Sequence, residues 1–276
     1  MLGKPLVRSW MGDEVTGLGS KNADIRDARQ VSLAVEQTRP EWIVLSAAYT
    51  DVDGCETNPQ LALDVNCRGA ENVAQAAKAG GARLLFVSTD YVFNGQKATP
   101  YETDEPRDPQ SVYGRSKAEG ELAVLKVLPE ACIVRTAWLF GNGGRCFPET
   151  ILKLAATRSE LEVVDDQRGS PTYAPDLALA IRQLCRKGAS GIVHATNSGE
   201  CTWFDFAREI IARARLTTEV RRTTSDKFVR PARRPNYSVL SPRSLERYGI
   251  TMPSWQNALG RYLEERQAIQ AGGGKE

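Results

Sequence analysis

Short apolar runs alternate with amphipathic stretches along most of the chain. Continuous apolar runs such as residues 84–87 indicate strands buried on both faces, as in a parallel sheet. Strands are predicted at residues 14–17, 42–46, 84–88, 132–136, 161–164 and 192–195. Helices are predicted between them, at residues 28–38, 59–79, 112–127, 148–157 and 175–186. This alternation predicts an α/β fold with a doubly wound, Rossmann-type parallel sheet.

The pattern changes after Asn197. Thr202 is a suitable N-cap for a helix over residues 202–215. An irregular basic stretch follows, and then helices near residues 242–248 and 254–267. We therefore predict a dinucleotide-binding domain over residues 1–196 and a smaller C-terminal substrate lobe over residues 197–276, with an approximate boundary and interleaved segments.

Composition and charge exclude several function classes. The 276 residues carry 36 Lys and Arg against 34 Asp and Glu, a net charge of +2, which favours no nucleic-acid partner. No apolar run approaches the ~18–20 residues of a membrane span, so no membrane partner is predicted. The 6 cysteines form no C-x-x-C pair, which is typical of reduced thiols in a cytoplasmic protein. His194 is the single histidine; we interpret it as structural and predict no metal site.

Tyr113 and Lys117 are the strongest candidates for chemistry. Four residues apart on a predicted helix, they share one face. A nearby ammonium lowers the pKa of a phenol from its usual value near ~10, so that it can exchange a proton with a carbonyl oxygen. A hydroxyl from Ser88 or Thr89 is expected to hold that oxygen. The alternative is a solvated Tyr–Lys pair without chemistry.

The N-terminus departs from a dinucleotide-binding pattern. Such a fold normally opens with a strand, a glycine-rich turn and a helix, whereas here Gly3 is followed at once by a predicted helix. Gly3 matches the last glycine of such a turn. We expect the natural chain to start upstream. The alternatives are another segment completing the sheet, or a relative of dehydrogenases that has lost the activity.

Seven motifs, taken in order and spacing, resemble the dTDP-4-dehydrorhamnose reductases within the extended short-chain dehydrogenase/reductases. The resemblance runs from Gly3 to about Leu259. Asn94 departs from it, because the family usually has Asp there. The matching stretches are Ala47-Ala-Tyr-Thr-Asp-Val-Asp53, Val65-Asn66, Ser88-Thr-Asp-Tyr-Val-Phe-Asn-Gly95, Tyr113-x3-Lys117, Arg135-Thr-Ala-Trp-Leu-Phe-Gly141, Asp166-Gln-Arg-Gly-Ser-Pro-Thr-Tyr173 and Arg234-Pro-x2-Ser238.

The resemblance implies reduction of a 4-keto-6-deoxyhexose carried on dTDP, and a role for each matching residue. The implied catalytic residues are Thr89, Tyr113 and Lys117. The implied cofactor-binding residues are Gly3, Asp24, Ile25, Ala47, Ala48 and Tyr49, together with Tyr113 and Lys117. The implied sugar contacts are Val52, Tyr91 and Trp138, although Trp138 alone also suits a core position.

Other segments of the sequence indicate the cofactor and the partners. No acid ends the predicted strand at residues 14–17, and Ser20 and Lys21 follow it, which favours NADPH, with NADH as the alternative. Arginines in the basic stretch 221–234 suit a nucleotide diphosphate, and the alternative is a solvated surface. A homodimer is among the open assembly states.

Two other functions stay open. One is a non-catalytic regulatory subunit of the same fold, like the β subunit of methionine adenosyltransferase. The other is a sister reductase acting on a different dTDP-4-keto-deoxysugar. The leading interpretation is formation of dTDP-L-rhamnose for cell-surface polysaccharide.

Overall fold

The computed structural model describes residues 1–272. The strands are, in chain order, β1 Trp42–Leu45, β2 Arg83–Thr89, β3 Cys132–Thr136, β4 Leu139–Phe140, β5 Glu160–Val164, β6 Arg168–Gly169, β7 Thr172–Tyr173, β8 Gly191–His194, β9 Cys201–Thr202 and β10 Glu219–Thr223. The α-helices are α1 Gly3–Ser9, α2 Ala28–Thr38, α3 Val52–Thr57, α4 Pro59–Leu63, α5 Gly69–Gly80, α6 Val112–Val127, α7 Phe147–Ala155, α8 Ala174–Arg186, α9 Trp203–Arg213, α10 Arg243–Glu246 and α11 Trp255–Gly272.

The central sheet has four parallel strands in the order β1-β2-β3-β8. Its register places Phe86 of β2 beside Ile133 of β3, and every residue of β3 is buried. Because successive side chains point to opposite faces, Leu84 and Phe86 pack with α2, α5 and α6, whereas Leu85 packs with α1 and α8. Helices therefore cover both faces, and the predicted doubly wound α/β fold is confirmed.

A separate hydrophobic cluster forms the smaller lobe from α7, α9, α11 and the parallel pair β5–β10. Phe206 lies at its centre and contacts Phe140 and Trp255 edge-on. Phe140 and Leu161 belong to this cluster although they precede residue 197. The lobe is therefore built from interleaved segments, and a boundary between residues 196 and 197 stays a prediction. Among the described helices, none is long and apolar enough to cross a membrane.

The predicted strand at residues 14–17 is wrong. These residues are exposed and adopt no regular structure. In a doubly wound sheet this strand would lie beyond the free edge of β1, yet within residues 1–272 nothing pairs with that edge. Without a neighbour to complete its backbone hydrogen bonds, an isolated strand is not stable.

Two further elements differ from the sequence prediction. β10 lies in the stretch expected to be irregular, where an exposed and charged sequence gives no strand pattern, and its partner β5 imposes the extended conformation. The helix expected over residues 59–79 is divided into α4 and α5 by a π-helical turn at Asp64–Arg68. Such turns are frequent at functional sites.

Gly120 allows α6 to pack closely on the π-helical turn, because a Cβ at this position would overlap the carbonyl oxygen of Asn66. We predict that Gly120→Ala destabilises the protein. The gain of about 1 kcal/mol in helix propensity is outweighed by ~1–3 kcal/mol of overpacking. The measurement is the midpoint of urea unfolding. Gly19→Ala is the control, since its Cβ would meet nothing within 4 Å. An unchanged or higher midpoint for Gly120→Ala would contradict the packing argument.

Candidate active site

The end of β2 and the start of α6 bring Thr89 and Tyr113 together. Thr89 ends β2 in an extended conformation, and its hydroxyl oxygen accepts the Tyr91 N–H at 3.3 Å. Ser111 caps α6 by accepting the Gly114 N–H at 3.1 Å, which starts the helix one residue before Tyr113. The Tyr91 ring lies edge-on to the Tyr113 ring, with centroids 5.6 Å apart. Thr89, Tyr91 and Tyr113 therefore form one group.

Of the two hydroxyls considered from the sequence, only that of Thr89 faces Tyr113. Side chains alternate along β2, so Ser88 points the opposite way and donates to the Glu121 carboxylate at 2.5 Å. Thr89 lies close enough to Tyr113 to lower the pKa of the phenol, although burial outweighs this effect. Thr89, and not Ser88, is therefore on the Tyr113 side of β2, and its role in holding the oxygen stays a prediction.

Lys117 lies one turn after Tyr113 and is buried. Its ammonium donates to the Val87 carbonyl oxygen at 2.7 Å and lies 3.9 Å from the centroid of the Phe86 ring. Burial lowers the pKa of Lys117 to about 7, while the Glu121 carboxylate acts in the opposite direction. This lysine is therefore held at the end of β2 and can change charge near neutral pH.

The expected lowering of the Tyr113 pKa by Lys117 is wrong in this structure. Burial raises the pKa of Tyr113 above its ordinary value and outweighs the opposite effect of Thr89. The Lys117 ammonium is directed to the Val87 carbonyl instead. Like an ordinary phenol, Tyr113 is therefore protonated at neutral pH and has a proton to donate.

Asp90 is a site residue that sequence reasoning missed. It is only 1% exposed, and its Oδ1 accepts the Thr89 hydroxyl at 3.0 Å while its Oδ2 has no partner. Burial raises the pKa of Asp90 to about 6, although the nearby Ser238 and Thr89 side chains partly oppose the shift. The available signal was a carboxylate directly after the buried strand β2 and next to Thr89.

The predicted cofactor residues Ala47, Ala48 and Tyr49 follow β1 at the same edge of the sheet as Thr89, because β1 and β2 are parallel neighbours. Asn66, which is 1% exposed, fixes this segment: it accepts the Tyr49 N–H at 2.8 Å and donates to the Tyr49 carbonyl at 3.0 Å. Its amide also donates to Ser116 of α6 at 3.0 Å. Asn66 is thus a positioning residue to which the sequence assigned no role.

The other predicted cofactor residues lie on separate elements. Gly3 is exposed at the start of α1, which packs through Leu6 on α8. Asp24 forms an ion pair with Arg26 at 2.6 Å, and hydrogen bonds from Arg26 lower the pKa of Asp24 to about 2. Ile25 is partly buried against the cluster around α2 and α5. Their roles stay predictions.

Trp138 lies between the sheet and the lobe. Its backbone has a φ of 45°, a left-handed conformation that is strained for a residue with a side chain. Its indole stacks on Trp203 of α9, with centroids 3.4 Å apart and an interplanar angle of 5°. Trp203 therefore covers one indole face, and a sugar can meet only the rest of the ring.

Val52 begins α3, and the residue after it ties this helix to the lobe. Asp53 accepts two hydrogen bonds from the Arg234 guanidinium, at 3.0 and 2.9 Å, and these lower the pKa of Asp53. Arg230 also approaches Asp53, at 3.6 Å. The Asp53–Arg234 pair holds Val52 beside the segment that follows β10.

The basic stretch divides into two groups. Arg221 and Arg222 lie on β10 and pair with acids of the lobe, Arg221 with Glu160 at 2.8 Å and Arg222 with Asp165 at 3.0 Å. These two are solvated ion pairs, as the alternative reading expected. Arg233, by contrast, lines a pocket of about 360 Å³. The other residues lining it are Asn94, Gly95, Gln96, Lys97, Arg234, Asn236 and Tyr237.

Asn94, which departs from the family pattern, has a local explanation. Its Oδ1 accepts the Tyr101 hydroxyl at 2.8 Å, and its Nδ2 donates to Asp108 at 3.0 Å. An amide can both accept from Tyr101 and donate to Asp108, whereas an ionised Asp at this position could only accept.

Comparison with known proteins agrees with this geometry. The sequence matches the family described as the RmlD substrate binding domain over residues 1–268. It is 44% identical over 269 residues to a dTDP-4-dehydrorhamnose reductase from Streptomyces griseus, covering 94% of this chain and 88% of the relative. The chain belongs to the dTDP-4-dehydrorhamnose reductase family.

Two further similarities describe the range of the family. A structure of dTDP-4-dehydrorhamnose reductase from Bacillus anthracis in complex with NADP superimposes with a TM-score of 0.93 at 38% identity, covering 96% of this chain and 95% of that one. A relative from Streptomyces antibioticus, described as a probable dTDP-4,6-dihydroxy-2-methyloxan-3-one 4-ketoreductase, is 41% identical over 265 residues, covering 94% of this chain and 90% of the relative.

The buried Asp90 generates a prediction for stability against pH. An aspartate in an unfolded chain has a pKa near ~3.9. Because the pKa of Asp90 in the folded protein is raised to about 6, its ionisation opposes folding. This cost is absent below pH ~4 and fully present above the folded pKa.

Asp90→Asn should therefore raise the free energy of unfolding at pH 7.5 by about 1–3 kcal/mol and leave it nearly unchanged at pH ~4. Urea unfolding at both pH values measures the effect. Asp104→Asn, which changes an exposed carboxylate, is the matched control. Equal effects of Asp90→Asn at both pH values would refute the assignment.

Proposed function

We propose that this chain reduces the 4-keto group of dTDP-4-dehydro-L-rhamnose to give dTDP-L-rhamnose, with NADPH as the reductant. The observation that carries the proposal is the arrangement at the carboxyl end of β2, where Thr89 lies beside Tyr113 and Lys117 follows one helical turn later. The similarity to dTDP-4-dehydrorhamnose reductases supports the substrate class.

The edge of the sheet fits a nicotinamide cofactor. Ala47 and Ala48 present small side chains after β1, and Asn66 uses both backbone groups of Tyr49, so this segment has a fixed shape. Small residues at the carboxyl end of a parallel strand allow a cofactor to approach the backbone closely. When bound, the cofactor supplies a hydride. The similarity to a dTDP-4-dehydrorhamnose reductase in complex with NADP supports NADPH as the cofactor. Ser20 and Lys21 are exposed, and in the described part of the chain no strand precedes them to present them to the cofactor.

The residues of the chain then have separate tasks. Tyr113 donates its proton to the oxygen of the ketone as the carbon is reduced. Thr89 orients that oxygen, and its own orientation is fixed by Asp90. Lys117 supplies positive charge beside the group. Val52, Tyr91 and the free part of the Trp138 indole surround the sugar.

Three further features of this proposal concern the partner, the location and the assembly. The pocket beside Arg233 is a basic surface suited to the diphosphate of the nucleotide. The cysteines are free, which is typical of a cytoplasmic enzyme. A homodimer stays a prediction.

A sister reductase is the second candidate. The relative from Streptomyces antibioticus acts, by its description, as a 4-ketoreductase on another dTDP-linked sugar. Neighbouring sugars differ by single hydroxyls, so a comparison of kcat/KM between dTDP-4-dehydrorhamnose and other dTDP-4-keto sugars separates the two candidates.

Removal of the Tyr113 hydroxyl tests the chemistry. Tyr113→Phe should lower kcat by ~10²–10⁴-fold, the usual contribution of a positioned acid, because the ketone oxygen then lacks its proton donor. NADPH oxidation with dTDP-4-dehydrorhamnose is the assay. Tyr248→Phe, which removes a hydroxyl bonded to Ser190 at the surface, is the control. Near-full rate in Tyr113→Phe would eliminate this residue as the acid. No NADPH oxidation by the parent protein would favour a non-catalytic subunit.

Removal of the Arg233 charge tests the diphosphate pocket. Arg233→Ala should raise KM for the dTDP-sugar by about tenfold with little change in kcat, because a charge-assisted hydrogen bond contributes ~1.5–3 kcal/mol. Arg221→Ala is the matched control, since Arg221 is engaged with Glu219 and Glu160 on the surface. Equal KM values for the two variants would remove Arg233 from the substrate site.

A further inference from the structure

A cluster of buried charges lies directly beneath the candidate site and has no part in the proposed reaction. Glu121 of α6 and Arg135 of β3 have fully buried side chains. The Glu121 carboxylate accepts from Arg135 at 2.9 and 2.7 Å, from Arg107 at 2.6 Å and from Ser88 at 2.5 Å. We call these four residues the Glu121 cluster.

The Glu121 cluster is unbalanced in charge. Two guanidinium groups share one carboxylate, and the guanidinium of Arg107 is 22% exposed. His194 of β8 lies 3.5 Å from Arg135 and adds no charge, because burial and the neighbouring guanidinium lower the pKa of His194 to about 3. The electric field of the Glu121 carboxylate on neighbouring groups is therefore opposed by the fields of the two guanidinium groups.

The cluster is joined to both halves of the candidate site. Glu121 follows Lys117 by one turn of α6, and Ser88 precedes Thr89 on β2. The pKa of Lys117 is lowered by its burial, and the Glu121 carboxylate is the charge that raises it again.

Charged and titratable groups from several elements lie near Lys117 and Glu121. Arg135 from β3 and Arg107 from the loop before α6 face Glu121, and His194 lies behind Arg135. Tyr113 and Asp90 lie at the site itself. Phe86 and the Val87 carbonyl cover Lys117 from β2.

We propose that Glu121 is a positioning residue that keeps Lys117 charged, and that Arg107 and Arg135 set how much of the Glu121 field Lys117 experiences. The inference rests on the proposed function, in which Lys117 acts as a cation beside Tyr113. A buried ion pair that serves only folding would stabilise the protein without controlling the ionisation of Lys117.

Two substitutions that change the field in opposite directions distinguish these roles. Glu121→Gln removes the charge that raises the pKa of Lys117, so the pH above which kcat/KM falls should move down by about one unit. Arg107→Gln removes a cation that compensates Glu121, so the same limit should move up. Arg107 is partly exposed, and its replacement keeps the test available if Glu121→Gln does not fold.

Ser88→Ala is the matched control, because it removes one hydrogen bond to Glu121 without changing a charge. The pH above which kcat/KM falls should therefore stay the same in this variant. The second readout is independent of activity: NMR titration of lysine Nζ groups, with Lys117 assigned by the loss of its signal in Lys117→Arg. The titration should shift downward in Glu121→Gln and upward in Arg107→Gln.

The inference is overturned if the Lys117 titration does not move, or if it moves in the same direction in Glu121→Gln and Arg107→Gln. Glu121 and Arg135 would then be an ion pair with a structural role only. Absence of reductase activity in the parent protein overturns the proposed function instead. In that case the NMR titration alone decides whether Glu121 controls Lys117.

Discussion

The contact between α6 and the carboxyl end of β2 is the constraint on which the candidate site depends. Tyr113 and Lys117 project from the helix, Thr89 ends the strand, and the two elements are joined by the bond from Lys117 to the Val87 carbonyl. Burying an ammonium and a carboxylate in this contact is costly unless every charge has partners. The two guanidiniums and the Ser88 hydroxyl that surround Glu121 meet this requirement.

Close packing on the other side of α6 completes the arrangement. Gly120 lets the helix approach the π-helical turn at Asp64–Arg68, and Asn66 of that turn bonds both backbone groups of Tyr49. One irregular turn thereby links α6, which carries Tyr113 and Lys117, to the loop after β1. The conformation of the segment after β1 and the position of Tyr113 therefore depend on the same packing contacts.

The smaller lobe reaches the site through two contacts of different kinds. Trp138 stacks on Trp203 by burying aromatic surface, whereas Asp53 binds Arg234 through a two-bond ion pair. The first contact uses the face of a residue expected to meet the sugar. The second engages an arginine considered for the diphosphate. The lobe is thus anchored by side chains that the sequence suggested for substrate binding.

The sequence by itself determined the parallel sheet and its covering helices, because apolar periodicity is a local property of the chain. Its motifs, through their resemblance to a family, pointed to Thr89, Tyr113 and Lys117 as the candidate group. It failed at residues 14–17 and at β10, since a strand needs a partner that local sequence does not specify. Only the tertiary structure decided that Ser88 faces Glu121, that burial raises the pKa of Tyr113, and that Asp90 is enclosed. Desolvation and charge pairing depend on which distant segments converge, and that is a property of the folded chain alone.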